Sequence, residues 1–159
     1  MYGTSLKILR VNLSTGAWNV EELDEDFYKR YPGGKALAGY ILLNEMPAHV
    51  EPFSPENILV IANGVLTGAP VSTATRYVVS ARSPLTGGYG ESEAAGFWGP
   101  ELKMAGYEAI VVKGKAAEPV YLWIHGDQVE IRSAKHIWGM LTAETQEKIR
   151  EELDDKKVR

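Results

Sequence analysis

The chain contains no cysteine. That excludes a disulfide framework, a thiolate zinc site and any iron–sulfur ligand within these residues, while leaving the redox compartment open. Positive charge is also scarce. Seventeen Lys and Arg face 21 Asp and Glu, for a formal charge of −4, so no basic patch stands ready to neutralise a nucleic-acid backbone. No apolar run is long enough to cross a bilayer, and the opening Met1 to Thr4 lacks the basic and apolar regions of a signal peptide. The expectation is therefore no nucleic acid, no membrane, and the cytoplasm as default location. The three histidines, His49, His125 and His136, lie far apart in sequence. Gly-x-Gly-x-x-Gly, Gly-x-x-x-x-Gly-Lys, His-x-x-x-His and Gly-x-Ser-x-Gly patterns are all missing, so Rossmann, P-loop, zincin and hydrolase-elbow readings have no motif to stand on.

What is present is a globular composition, 45% apolar and 24% charged over 159 residues. That length suits one domain, 1–159, with a proper core. Leu6 to Leu13 and Ala17 to Glu22 read as a hairpin turning at Gly16. Asp24 to Tyr31, acidic first and basic last, reads as a short helix closed by Pro32-Gly33-Gly34. Lys35 to Glu45 has helical apolar spacing, and the two glycines before it leave N–H groups free at its start. Strands are expected over Ile58 to Ala62, Thr75 to Arg82, Glu108 to Lys113, Val120 to His125 and Val129 to Arg132. Gly126-Asp127 makes a tight turn between the last two. Gly99 to Ala105 reads as a helix ending at Gly106, Glu91 to Trp98 fits neither period, and Thr142 to Leu153 is an amphipathic helix. The fold class is α+β, with largely antiparallel β-sheets and interspersed helices. The tail after Asp154 turns apolar where the sequence stops; a truncated strand of a longer chain and a frayed end both explain it.

The stretch Arg82 to Lys103 holds five glycines and two prolines. Such a cluster implies left-handed turns or a close approach of backbone to something bulky. Arg76 opens a strand after the polar loop Ser72 to Thr75, where a guanidinium can grip phosphate with two hydrogen bonds or simply remain solvated. Asn63, Thr67, Thr73 and Thr75 add neutral donors or serve as turn caps. Glu91 and Glu93 lie two apart, so an extended backbone aims both carboxylates to one side. There they can hold a divalent cation, share a proton, or face solvent. Phe97 and Trp98, between Gly96 and Gly99, suit either a stacking platform or core packing.

Taken in order, Arg10 to Gly16, Asn63 to Gly68, Arg76 to Val79, Ser83 to Gly87, Gly96 to Gly99, Glu101 to Ala116, Pro119 to Ile124 and His136 to Gly139 resemble the N-terminal domain of the tungsten-containing aldehyde ferredoxin oxidoreductases. The resemblance implies a β-sheet base under a tungsten (or molybdenum) bis-pterin cofactor with a magnesium ion between its phosphates. It implies that Arg76 contacts the pterin or its phosphate and that Glu93, Ala94, Ala95 and Gly96 run alongside the cofactor. The Glu93 backbone carbonyl is then a metal (magnesium) ligand. The iron–sulfur cluster would lie outside this segment, in the remaining domains of the same enzyme, and ferredoxin would accept the electrons. By itself the segment would be inactive, hold no cofactor, and be open to self-association. The family commonly has an Asn-Ser-Gly-Gly-like segment where this chain has Glu93-Ala94-Ala95-Gly96, and Gly-x-Arg-Gly where it has Gly33-Gly34-Lys35-Ala36. A carboxylate beside phosphates is tolerable when it faces a cation. Aldehyde oxidation is the implied activity; an aromatic acyl-thioester reductase relative, or a non-catalytic binding or scaffold module of the same fold, are the alternatives.

Overall fold

In the computed structural model, residues 3–158 are described. The first strands, β1 (Lys7–Asn12) and β2 (Ala17–Glu22), form the expected hairpin. Helix α1 (Glu25–Arg30) starts where the Asp24 side chain accepts hydrogen bonds from the Asp26 and Phe27 amides at 2.9 and 3.0 Å, satisfying donors the helix itself cannot. Helix α2 (Gly34–Glu45) buries Leu37, Ala38, Ile41 and Leu42. Then follow β3 (Leu59–Asn63), β4 (Tyr77–Arg82), β5 (Tyr89–Ala94), α3 (Trp98–Met104), β6 (Ala109–Lys113), β7 (Val120–His125), β8 (Gln128–Ser133) and α4 (Thr142–Leu153).

Six strands make one sheet in the order β2-β1-β6-β3-β4-β5, and β7 pairs with β8 as a separate hairpin. The ladders are antiparallel except one: β6 runs parallel to β1, slotted between it and β3. The class is thus α+β with a mixed sheet, the single parallel pair refining the antiparallel expectation.

Strand alternation divides the interior into two cores. Ile8, Val60, Ala62, Val78, Ala109 and Val111 face α2 and Tyr28 of α1. Leu9, Val11 and Ile110 face the opposite way, onto Leu102 of α3 and Val129 of the β7–β8 hairpin. A sheet covered on both faces explains why β6 reads as an unbroken apolar run, Ala-Ile-Val-Val.

The stretch 91–98, which fits neither period, is strand to Ala94, then a three-residue link, and reaches α3 only at Trp98. The strand expected from Thr75 begins at Tyr77 instead. Helix α4 has the expected bounds, but none of its residues is buried.

Candidate functional site

The start of α2, the end of β3 with the loop after it, and the β4–β5 edge converge on one end of the sheet. Gly33 is the joint. Its φ is +52°, and a Cβ there would stand 2.5 Å from the Asn63 carbonyl oxygen and 3.3 Å from the Val65 amide nitrogen. Only glycine lets α2 begin this close to the β3 turn. That turn in turn fixes Arg76: its carbonyl accepts from the Gly64 amide at 3.0 Å and from the Thr67 hydroxyl. Thr67 and Asn63 are therefore committed inward. The Asn63 amide group donates to the Tyr107 carbonyl at 3.3 Å, so both residues, open to a role as free donor or turn cap, serve the backbone. The Arg76 side chain itself remains 67% exposed above its anchored backbone.

Strand β5 is the outer edge of the sheet. In register, Val78 opposes Glu93 and Ser80 opposes Glu91, which puts both carboxylates on the α2 side, as their spacing required. Lys35, in the first turn of α2, reaches across with its Nζ 2.9 Å from Glu91 Oε1 and 2.8 Å from Glu93 Oε1. Arg76 Nη1 stands 3.8 Å from the other Glu93 oxygen, too far for a hydrogen bond. Hydrogen bonding to Glu93 and then Glu91 raises the Lys35 ammonium above its ordinary pKa. Lys35, and more weakly Arg76, hold Glu93 below the usual carboxylate range.

Beyond Ala94 the chain leaves the sheet. Ala94 ends β5 half-buried, and Ala95 and Gly96 are exposed on the way to α3. Gly96 has φ +109° with no atom within 4 Å of a Cβ position, an open left-handed turn. The two aromatics divide: Trp98 stacks on Tyr77 at 4.8 Å between centroids and joins the second core, while Phe97 is 69% exposed. The structure thus brings Arg76, Glu93, Ala94, Ala95 and Gly96 to one rim. Among the described residues no group of three or more His, Asp or Glu is arranged to hold a metal ion. The rim is open surface: hollows of about 290 and 350 Å³ are lined by other residues, around Tyr107 and Phe53 respectively.

Two residues escaped sequence reasoning. Lys35 is marked in the sequence only as standing where the resembled family commonly has arginine; its pairing gave no local signal, since its partners are distant in the chain. Glu108, read only as the start of a strand, is completely buried. Its Oε1 accepts from Thr4 Oγ1 at 2.7 Å and Ser5 N at 2.8 Å; its Oε2 accepts from Tyr28 Oη at 2.8 Å and Lys103 Nζ. Burial pushes this carboxyl up, but Lys103, Thr4 and the Ser5 amide outweigh it and hold it below the ordinary range. Burial, then Glu108, push the Tyr28 phenol up. The network underlies the rim: Glu108 O accepts from the Asn63 amide, and the Lys103 stem passes 3.5 Å from a Cβ position on Gly68.

Comparison with known proteins bears on what this rim is for. Residues 8–159 match the family model described as aldehyde ferredoxin oxidoreductase, N-terminal domain. A tungsten-containing aldehyde ferredoxin oxidoreductase of Pyrococcus furiosus is 50% identical over the whole chain, which covers 26% of that protein. The WOR-like subunit of an aliphatic sulfonate oxidoreductase from the same organism is 43% identical over 88% of the chain and 23% of its own length. Among solved structures, the active-site complex BamBC of benzoyl coenzyme A reductase with 1,5-dienoyl-CoA superposes with a TM-score of 0.95 at 42% identity, covering 98% of this chain and 24% of that one. The chain spans about a quarter of the length of the curated relatives it matches.

Proposed function

The chain belongs to the aldehyde ferredoxin oxidoreductase family through its N-terminal domain, and from that premise we propose that it forms the base on which a tungsten (or molybdenum) bis-pterin cofactor rests in the complete polypeptide. Arg76 is the cation that meets a pterin phosphate. Glu93 to Gly96 form the backbone rim beside the cofactor, with the Glu93 carbonyl offered to magnesium. The observation that carries this reading is the pairing of an anchored backbone with an exposed guanidinium at Arg76: its carbonyl is held twice, while its charged end stays in solvent at 3.8 Å from Glu93. Such a preorganised arginine suits an anionic, bidentate acceptor.

The residues present fit such a group. Both carboxylates on the rim are paired with Lys35, and the Gly96 turn leaves space for close approach. The metal itself would be carried by the cofactor, because the rim offers it no side-chain cage. When bound, this cofactor supplies two-electron oxidation of an aldehyde and water to a carboxylic acid, with electrons leaving singly through an iron–sulfur cluster to ferredoxin. This chain's share is orientation and charge balance; with no cysteine, the cluster must be ligated elsewhere in the polypeptide.

A second reading, reduction of an aromatic acyl thioester, is favoured by the closeness in backbone to the benzoyl coenzyme A reductase complex. The complete polypeptide, purified without oxygen, tests both. Bound pterin with tungsten or molybdenum and aldehyde-dependent reduction of ferredoxin are expected. Turnover with an aryl thioester alone would favour the second reading. Protein that is folded yet free of pterin and metal would leave only a non-catalytic module.

A further inference from the structure

Resting on the reading that Arg76 meets an anionic group of the cofactor, we propose that Lys35 is a positioning residue of the site: by clasping Glu91 and Glu93 together it keeps Glu93 from closing on Arg76 and fixes the strand edge that leads into Ala95 and Gly96. The rim holds two cations, Lys35 and Arg76, and two carboxylates, Glu91 and Glu93. Its formal charge is therefore zero, a poor start for an anion site. What makes it serviceable is how the charges are divided. Lys35 takes one oxygen from each carboxylate at 2.9 and 2.8 Å, while Arg76 stays at 3.8 Å from the nearest Glu93 oxygen.

Without the ammonium, two like charges remain side by side on one face of β5, and the cation near Glu93 is then Arg76. A guanidinium engaged by Glu93 is lost to an external anion, because the two acceptors compete for the same fork of donors. Directly across the ladder Glu93 meets only the apolar Val78 of β4. Lys35 is well placed for the task because Gly33, locked against the Asn63 carbonyl, sets where the first turn of α2 lies.

The experiment uses the complete polypeptide and measures pterin and tungsten (or molybdenum) retained per chain after gel filtration. Wild type without either would sink the functional reading itself, separately from this one. With wild type loaded, Lys35→Met should lower retention by about tenfold, the effect of losing one charge-assisted contact. Lys35→Arg should restore it. So should the double variant Lys35→Met with Glu93→Gln, in which the carboxylate beside Arg76 is gone. Full retention in Lys35→Met, or a double variant as poor as the single one, would overturn the proposal. A crystal structure of Lys35→Met gives a readout independent of loading. Arg76 and Glu93 are expected within hydrogen-bonding distance, and a gap still near 3.8 Å would count against the idea as firmly.

Discussion

Glu108 carries a charge with no exposed surface, and it survives there because five groups from four residues donate to its two oxygens. Removing the charge strands Lys103, whose side chain is 12% exposed. Glu108→Gln is therefore expected to lose about 3 kcal/mol in urea unfolding at neutral pH, the scale for breaking a buried ion pair. The same cluster fixes the pH limits. Because the folded Glu108 carboxyl lies below its ordinary 4.5, its contribution is present above that pH and is lost as pH falls through the lower folded value. Because the Tyr28 phenol lies above its ordinary 10.0, its contribution is present below pH 10 and fades as pH rises further. Unfolding free energies measured across pH should show both limbs. Tyr28→Phe should flatten the alkaline limb, and Glu108→Gln the acid one. At the rim, Arg76→Ala in the complete polypeptide should weaken cofactor retention by roughly tenfold to a hundredfold, as a charge-assisted pair of hydrogen bonds disappears. Undiminished pterin and metal content would show Arg76 to be an ordinary surface cation.

Elements report most clearly where chain geometry leaves no choice. Gly33→Ala would set a methyl group 2.5 Å from the Asn63 carbonyl oxygen in a left-handed backbone. A loss of about 1–3 kcal/mol is expected from that strain. Lys35 should be displaced with the first turn of α2, so its contacts to Glu91 and Glu93 would lengthen in a crystal structure of the variant. The hairpin β1–β2, helix α2 and helix α4 were legible because apolar period, turn glycines or polar bounds mark them. Strand β5 was not. As an edge strand with no fully buried residue, it has no hydrophobic alternation to display, and β4 supplies the ladder that makes it a strand. The helix after it was legible, expected over Gly99 to Ala105 and found at Trp98–Met104; what gave no signal was that Trp98 turns inward against Tyr77 while Phe97 beside it stays exposed.

At the scale of the molecule, the rim is shallow and balanced in charge, with Lys35 and Arg76 both more than half exposed. A phosphate held there by these residues alone competes with water and salt. The 159-residue chain by itself is accordingly expected to purify without stoichiometric tungsten and to show no aldehyde-dependent dye reduction. Metal bound mole for mole, with turnover, would contradict this. Sequence by itself determined what the chain cannot ligate, through its missing cysteines, and which segments are strands and helices wherever burial imposes a period. It also determined that Glu91 and Glu93 share a face, because β alternation is a local rule. Tertiary structure alone decided what stands opposite them. Lys35 and Glu108 act through partners remote in the chain, and pairing at a distance follows from how elements pack, for which no local pattern exists.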